Sequence, residues 1–362
     1  MYLHEKENWT AFTIDYERIC PFVASVRHHQ GRVLSLFATS GVVTSSKTRV
    51  EALVDEVSKS AEIEGERFDP EHVRSSLCRK LGLDFSDDGK VVPRNVDGAV
   101  SVILDAVMEA TADLTEERLF GWHAALFPTG YSGLYKITTG KYREGEMQVV
   151  SGGFGREKVH YQAPSPVLVP GLMRDFLGWY NEADRMDLYV KAAVAHLWFV
   201  MIHPFDDGNG RLSRAISDML IARSDGPGAK FYSVSKAILQ DRKRYYSLLE
   251  SLGHSEGDIT EWVEWFVGRI DAGLTEAESA LEATLRKNRF WDGRVDEDFN
   301  ERQRKMLNML FDGFDGKLTS GKWAKICKVS SDTALNDIND LVGRGILVKS
   351  TSGGRSTNYE VA

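Results

Sequence analysis

A short stretch of the sequence, residues 203–214, combines residue types that could act on a phosphorylated ligand. It reads His-Pro-Phe-Asp-Asp-Gly-Asn-Gly-Arg-Leu-Ser-Arg. Gly208 and Gly210 flank Asn209 just ahead of a predicted helix, so the backbone amides can turn toward one point at the positive end of the helix dipole. The segment therefore predicts an anion-binding cradle.

Two arginines at the start of the same predicted helix extend this anion site. Arg211 and Arg214 are three residues apart on nearly one helix face, where guanidinium groups can hold phosphate oxygens bidentately. A single anionic group does not need two arginines. Asp207 would repel a bare phosphate, but it fits if Mg²⁺ bridges its carboxylate to the ligand. The pattern therefore favours a polyphosphate that binds together with Mg²⁺.

His203 could move a proton beside this cradle. It ends a strongly apolar predicted helix, because Pro204 disfavours helical backbone in the residue before it. Its imidazole could take the proton of an incoming hydroxyl, an assistance typically of about 10²- to 10⁴-fold. A histidine before proline is usually only a helix end, and Asp-Gly-Asn-Gly is usually only a turn. A turn, however, requires neither a base nor two phased arginines, so the complete segment predicts a catalytic site.

The same segment resembles the HPFx(D/E)GNGRxxR signature of the Fic family, and every fixed position of that signature is present. The resemblance implies ATP with Mg²⁺ as the donor and transfer of AMP to a Tyr, Thr or Ser of a target protein. It makes His203 the base, Asp207 the Mg²⁺ ligand and residues 208–210 the α-phosphate cradle. Arg211 and Arg214 would hold the β- and γ-phosphates.

A second element of this resemblance lies upstream, on a predicted helix over about residues 50–65. Residues 60–65, Ser-Ala-Glu-Ile-Glu-Gly, resemble the family's (S/T)xxxE(G/N) inhibitory motif. An ordinary helix end followed by glycine would also satisfy this short pattern. The resemblance implies that Ser60 and Glu64 are inhibitory, with Glu64 paired to Arg214 at the position of the γ-phosphate.

Residues 147–161 alternate polar and β-branched residues around a glycine-rich turn, a pattern that predicts a β-hairpin with an exposed tip. The hairpin stands where the family has its flap, which binds the target segment as an added strand. A plain surface hairpin would show the same pattern. The resemblance assigns target docking to Val149, Val150, Ser151 and Gly152.

Arg242, Tyr245 and Tyr246 follow the core at the position where the family's adenine pocket draws residues. An aromatic pair in a helix is also typical of simple packing, so both interpretations stay open. His196 shares a predicted helix face with His203 but has no third ligand nearby, so we expect no metal site at these histidines.

The rest of the chain must supply the elements that position these residues. Apolar periodicity indicates helices up to about residue 83 and again from residue 171, and the apolar helix 188–202 is expected to be central and buried. We therefore predict a mainly α protein. Residues 1–100 form a helical N-terminal domain with the inhibitory helix, and residues 101–290 form a Fic-type helical core with a β-hairpin flap.

The sequence pattern changes after about residue 288, and residues 300–362 form a third predicted domain. Two helices near 319–328 and 332–344 precede two strand-like segments, which is the layout of a winged helix-turn-helix. Arg344 and nearby basic residues could contact DNA phosphates. Three aspartates on the presumptive recognition helix disfavour tight binding in the major groove, so DNA contact, protein contact and a structural role stay open.

Composition excludes several classes of protein. No apolar run approaches the roughly 20 residues of a membrane span, and the first ten residues lack the pattern of a secretory signal. The cysteines Cys20, Cys78 and Cys327 are widely spaced, which predicts neither a disulfide framework nor a zinc site. A formal net charge of −8 gives no global attraction to nucleic acid or to an anionic membrane. We expect a soluble cytoplasmic protein without a membrane partner.

Two functions of different classes fit these observations. The first, which we favour, is a protein adenylyltransferase autoinhibited by Glu64. The second is a transcriptional or assembly regulator that acts through the winged helix and uses the core as a nucleotide sensor. Removal of AMP from a modified protein, with Glu64 orienting the attacking water, is not ranked against transfer. The target and the oligomeric state stay open, although members of the family often form homodimers.

Overall fold

The computed structural model describes residues 2–83, 91–151, 158–183, 185–226, 229–350 and 357–362. The α-helices, numbered in chain order, are α1 (Tyr16–Thr39), α2 (Val42–Ile63), α3 (Pro70–Leu81), α4 (Arg94–Met108), α5 (Glu116–Leu126), α6 (Val169–Asn181), α7 (Leu188–Ile202), α8 (Asn209–Asp225), α9 (Val234–Gln240), α10 (Arg242–Leu252), α11 (Thr260–Asp292), α12 (Glu301–Phe311), α13 (Ser320–Cys327) and α14 (Ser331–Gly343). The strands are β1 (Tyr131–Ser132), β2 (Tyr135–Lys136), β3 (Gln148–Ser151), β4 (Lys158–Gln162), β5 (Leu347–Lys349) and β6 (Tyr359–Val361). They form the antiparallel pairs β1–β2, β3–β4 and β5–β6. The mainly α fold is confirmed.

The chain divides into two compact units, Met1–Ala277 and Glu278–Ala362, and the division falls within α11. The domain boundaries that we placed near residues 100, 290 and 300 remain predictions. Within the parts of the chain described above, no helix is both long and apolar enough to cross a membrane.

Helix α7 lies at the centre of the first unit because it is apolar on every side. Its buried residues include Val194, Leu197 and Phe199, and it packs along α8. Asp187 begins the helix by accepting a hydrogen bond from Tyr189 N at 2.8 Å. Each fully buried aliphatic or aromatic side chain contributes about 1.5–3 kcal/mol. The packed pair α7–α8 is therefore a rigid support for the loop that joins the two helices.

Helix α2 brings the predicted inhibitory segment to α8. Its inner face buries Leu53, Val57 and Ala61, and the helix packs against α8 and α9. The helix ends in a left-handed turn, since Gly65 has a φ of 86° and Glu66 N donates to Ala61 O at 3.0 Å. This reversal of the chain keeps residues 64–66 close to the end of α2.

The predicted flap hairpin is present as β3 and β4. Gln148 pairs with Gln162 and Val149 with Tyr161, and the register shifts between Val149 and Val150. Ala163 N donates to Met147 O at 3.0 Å, which extends the pairing by one step at the base. Gly152, which we assigned to target docking, lies outside the described residues.

The second unit has its own apolar core around Trp323, Ile338 and Leu341. The order α12, α13, α14, β5, β6 follows the predicted sequence of elements, and its identification as a winged helix-turn-helix stays a prediction. Arg344 is ion-paired with Glu297 at 2.5 Å and with Asp340 at 3.3 Å. Part of the basic character that we considered for DNA contact is therefore neutralised within the unit.

Candidate active site

His203 follows the last residue of α7 and has left-handed backbone, with φ 51° and ψ 60°. Its Nδ1 lies 3.3 Å from Val200 O. If the ring proton is placed on Nδ1, that nitrogen donates to the carbonyl and Nε2 keeps its lone pair. Burial lowers the pKa of His203 to about 4, against opposing effects that include the hydrogen bond to Val200 O. The imidazole is therefore neutral near pH 7, which is the form a base requires.

The side chain of Asn209 closes the loop between α7 and α8. Its Oδ1 accepts from Phe205 N at 3.0 Å and its Nδ2 donates to Phe205 O at 2.8 Å. Both ends of the amide are engaged by the loop itself. The side chain of Asn209 therefore shapes the cradle, and the phosphate contact that we assigned to this residue, which stays a prediction, would have to come from its backbone amide.

The first turn of α8 forms the cradle. Gly208 has a φ of 82°, and a Cβ there would meet the ring of Phe127 at 2.8 Å, so the sharp entry into the helix requires glycine. The amides of residues 209–211 have no acceptor within the helix. A Cβ on Gly210 would lie 2.2 Å from Oε1 of Glu64. The carboxylate of Glu64 therefore lies at the place where the helix N-terminus favours an anion.

Arg214 is 2% exposed and is held by the end of α2. Its Nη2 lies 2.8 Å from Oε1 of Glu64, its Nε donates to the hydroxyl of Ser60 at 2.8 Å, and Nη2 also donates to Ser60 O at 2.9 Å. Burial disfavours the guanidinium charge, but the carboxylate of Glu64, together with Tyr245 and Tyr246, raises the pKa of Arg214. The structure thus brings Ser60, Glu64 and Arg214 together.

Arg211, the other arginine of the loop–helix segment, pairs with a residue that sequence reasoning missed. Its Nη1 lies 3.0 Å from Oε1 of Glu66, and its guanidinium lies over the ring of Phe127 at 4.9 Å. Buried Nε of Arg211 and Nη1 of Arg214 have no hydrogen-bond partner within the described chain. An anionic ligand in the cradle would give these two donors an acceptor.

Asp207 lies in the loop beside the cradle. Its Oδ1 accepts from Gly208 N at 2.5 Å and its other carboxylate oxygen accepts from the hydroxyl of Ser132. Across the described ranges, no cluster of three or more His, Cys, Asp or Glu could hold a metal by itself. One carboxylate next to a phosphate site is nevertheless what Mg²⁺ commonly uses, because phosphate oxygens and water complete its octahedron. The donor set at Asp207 fits this ion.

Arg143 is a second residue that sequence reasoning missed. It is 2% exposed, its Nε donates to His203 O at 2.8 Å, and its backbone N–H donates to Pro204 O at 2.9 Å. No local pattern marked it, because it lies 60 residues from His203 along the chain. An arginine in a glycine-rich segment was the only signal that the sequence offered.

The three residues that we considered for an adenine pocket differ in their surroundings. Tyr245 is 1% exposed, and its hydroxyl lies 3.0 Å from Nε2 of His196 in the core, which favours packing for Tyr245. Tyr246 is 39% exposed, and the guanidinium of Arg242 lies 5.4 Å from its ring centre. Tyr246 and Arg242, but not Tyr245, line a surface cavity of about 680 Å³ together with residues 239–241 and Lys243. A nucleotide contact there stays a prediction.

Comparison with known proteins places these features in a family. Residues 113–221 match the Fic/DOC family, and residues 2–83 match a domain of unknown function, DUF4172. A protein adenylyltransferase Fic of Culex quinquefasciatus is 28% identical over 226 residues, which are 59% of this chain and 39% of that protein. A probable protein adenylyltransferase of Aquifex aeolicus (strain VF5) is 26% identical over 165 residues, which are 44% of this chain and 48% of that protein. The chain spans less than half the length of these two relatives.

Solved structures of Fic proteins have a similar fold. A Fic family protein from Desulfovibrio desulfuricans G20 has a TM-score of 0.54 at 22% identity, covering 94% of this chain and 96% of that one. A Fic domain containing signaling protein from Bacteroides thetaiotaomicron has a TM-score of 0.53 at 19% identity, covering 70% and 97%. These identities establish a likeness of fold. The chain therefore contains a Fic/DOC-family domain at residues 113–221, which includes His203 and the whole loop–helix segment.

Proposed function

We propose that this chain is a protein adenylyltransferase that moves AMP from ATP to a Tyr, Thr or Ser hydroxyl of a target protein and is autoinhibited by Glu64. One observation carries the proposal. The carboxylate of Glu64 lies over Gly210 and pairs with the buried Arg214 at 2.8 Å, so an anion already occupies the cradle of α8. A site that accommodates this carboxylate has the charge and the donors that a phosphate requires.

The transfer that this geometry supports is an in-line displacement at the α-phosphorus. His203 Nε2 accepts the proton of the acceptor hydroxyl while the hydroxyl oxygen bonds to phosphorus. The bond from the α-phosphorus to the bridging oxygen breaks, and pyrophosphate leaves. The first amides of α8 hold the α-phosphate, and Arg211 and Arg214 hold the β- and γ-phosphates. The neutral His203 described above is ready to act near pH 7.

Asp207 would hold Mg²⁺ together with phosphate oxygens. When bound, the ion would neutralise phosphate charge beside the loop. The hydroxyl of Ser132 and the amide of Gly208 fix the orientation of the carboxylate. Replacing Asp207 with Ala should therefore weaken Mg²⁺-dependent binding of ATP.

Glu64 explains why the unmodified chain should work slowly. Its carboxylate diverts Arg214 from the γ-phosphate and fills part of the volume that the phosphates need. Ser60 adds two further hydrogen bonds to the same guanidinium. ATP is then excluded or held in an unreactive pose, until the end of α2 moves away from α8.

The flap supplies the surface on which a target segment would add as a strand. Val149 is 36% exposed on β3, and the β3–β4 pair is joined through Arg143 to the backbone of His203. Strand addition would present alternate side chains of the target, one of them the acceptor, toward the base. The assignment of Val149, Val150 and Ser151 to docking is part of this proposal.

Removal of AMP is the second candidate, because a carboxylate in the site could orient a water for attack on an AMP-modified protein. The carboxylate of Glu64 lies over Gly210, inside the cradle, which is where such a carboxylate would have to lie. Incubation of the wild-type chain with an AMP-modified protein, with release of AMP as the readout, distinguishes removal from transfer.

Covalent labelling tests the proposal directly. The Glu64→Gly chain is incubated with α-labelled ATP, Mg²⁺ and a cell lysate, beside the same chain with His203→Ala added. We expect labelled protein with the first chain, and about 10²- to 10⁴-fold less with the second, because the base is absent. ATP binding by calorimetry should differ only by a few-fold. Absence of labelled protein with the Glu64→Gly chain would contradict the proposal.

A further inference from the structure

Arg143 joins the backbone of the base to the flap. On one side, its Nε donates to His203 O at 2.8 Å and its backbone N–H donates to Pro204 O at 2.9 Å. On the other side, Nη1 donates to Gly145 O at 2.8 Å and Nη2 donates to Pro164 O. Gly145 precedes β3 and Pro164 follows β4, so the guanidinium holds both ends of the hairpin base.

The left-handed backbone of His203 needs the support of these hydrogen bonds. A residue other than glycine is disfavoured in left-handed backbone, and it persists there where its surroundings hold it. Arg143 holds the carbonyls of His203 and of Pro204, the two that flank the bend. The guanidinium of Arg143 therefore links the carbonyl of His203 to both ends of the flap, whereas the bond to Pro204 O comes from the backbone of Arg143.

We propose that Arg143 is a positioning residue that sets the distance between His203 and an acceptor strand docked on the flap. The inference rests on the proposed transfer activity. Among the described residues, the hydrogen bonds of Arg143 go to backbone carbonyls of the base segment and of the flap, and to neither arginine of α8, so we expect ATP binding to change little without it. Its loss should slow transfer, because misplacement of a reacting group by about 1 Å can cost about 10²-fold.

The test uses Arg143→Met and Arg143→Lys in the Glu64→Gly chain, with self-labelling by α-labelled ATP, calorimetry with ATP, and hydrogen exchange of residues 145–151. Arg223→Met is the matched control, because Arg223 also donates to carbonyls, Ala110 O at 2.8 Å and Ala112 O at 3.3 Å, away from the site. Lysine keeps the charge but cannot reach both the base and the flap. It covers the case in which the methionine variant does not fold.

We expect both Arg143 variants to label at least about tenfold more slowly, to bind ATP within about threefold of the parent and to exchange faster in the flap. The Arg223 control should keep the parent's labelling and flap exchange. Labelling by a folded Arg143 variant at the parent's rate, or unchanged flap exchange, would overturn the inference. A Glu64→Gly parent that labels nothing would instead overturn the proposed function, and flap exchange would still decide whether Arg143 positions the hairpin.

Glu66 carries a second inference, from a different contact. The left-handed turn at Gly65 directs its carboxylate to Arg211, with Nη1 and Oε1 3.0 Å apart. The side chain of Arg211 is 7% exposed and that of Glu66 is 39% exposed, so the pair lies at the edge of the site. The end of α2 thus presents one carboxylate to each arginine of the segment.

We infer that Glu66 is a second inhibitory residue, which competes with the nucleotide's phosphates for Arg211. This inference also rests on the proposed function. Calorimetry compares Glu64→Gly with Glu64→Gly/Glu66→Gln, using ATP and AMP as probes. Glu62→Gln in the same background is the matched control, because Glu62 pairs with Lys59 at 2.9 Å and with no arginine of α8 in the structure.

We expect the double variant to bind ATP about two- to fivefold more tightly than Glu64→Gly, with AMP unchanged, because a half-exposed ion pair contributes up to about 1 kcal/mol. Equal ATP affinities of the two chains, or an equal gain for AMP, would contradict the role of Glu66. If Glu64→Gly itself binds no ATP, the failure belongs to the proposed function.

Discussion

Two carboxylates of the α2 segment, Glu56 within the helix and Glu64 at its C-cap, differ in how far their contacts are buried. Glu56 is 0% exposed, and its Oε2 accepts from the hydroxyl of Ser233 at 2.8 Å. Glu64 lies about 12 Å further along the helix axis, has a side chain that is 31% exposed, and reaches Arg214. The first contact is buried in the core, whereas the second lies beside open solvent.

The buried contact belongs to a group of charges between α2 and α8. Lys230 Nζ lies 2.5 Å from Oδ1 of Asp218, and neither residue is more than 2% exposed. Oε1 of Glu56 and Oδ2 of Asp218 have no hydrogen-bond partner in the described chain, and one proton between the two carboxylates would satisfy both. We infer from this comparison that the contacts of Glu56 keep α2 in the core when autoinhibition is relieved. Only the last turn of α2 then moves away from α8.

The largest effect that sharpens this comparison is on stability. Lys230→Met would leave two buried carboxylates without their cation, so we expect the free energy of unfolding to fall by about 3–5 kcal/mol. Urea unfolding followed by circular dichroism measures it. Lys236→Met is the control, since Lys236 is 30% exposed and pairs with two partly exposed carboxylates, Asp55 at 2.8 Å and Glu276, so stability should change by less than about 1 kcal/mol. Equal losses of unfolding free energy in the two variants would contradict a special stabilising role of the buried charges.

A smaller effect is the dependence of stability on pH. Burial raises the pKa of Asp218 to about 7, helped by Glu56 and opposed by Lys230. The unfolded pKa is about 3.9, so the folded chain holds the proton more tightly, and stability is lost as pH rises from about 4 through 7. Unfolding at pH 5 and pH 8 should show a loss of about 1–3 kcal/mol in wild type. Glu56→Gln should show a smaller loss, and identical slopes would contradict the shared proton.

The smallest effect concerns the second unit. We expect residues 1–299 carrying Glu64→Gly to label within about threefold of the full Glu64→Gly chain, because this shorter chain keeps the whole first unit, Met1–Ala277. Initial rates of labelling compare the two chains. Insoluble or inactive protein would show that the first unit needs residues after 299.

Local pattern predicted much of the support for the site. The sequence placed α7 at residues 188–202, as the structure has it, because an apolar run between an aspartate and a His-Pro step leaves few alternatives. Helix α8 begins at Asn209, two residues before the predicted start near Arg211. Gly208 in left-handed conformation and the bonds of Asn209 to Phe205 set this boundary, and neither follows from periodicity.

Contacts between distant segments could not be predicted in the same way. Arg143 and Glu66 act through partners that are 60 and 145 residues away, and no local spacing reports such partners. Tyr245 shows the same limit, because an aromatic residue at helical spacing fits both a pocket and a core. The structure adds what the sequence lacks, namely that Tyr245 is buried and that its hydroxyl bonds His196.

Autoinhibition by Glu64 is tested most directly by the initial rate of AMP incorporation, measured for wild type, Glu64→Gly and Glu64→Gly/Arg214→Ala at equal ATP. A charge-assisted pair contributes about 1.5–3 kcal/mol, so its removal should raise the rate about ten- to more than hundredfold. The added Arg214→Ala should cancel the gain, and Glu62→Gln should match wild type, since Glu62 pairs only with Lys59 among the contacts described for it. Equal rates for folded wild type and Glu64→Gly would contradict autoinhibition and make residues 60–65 an ordinary helix end.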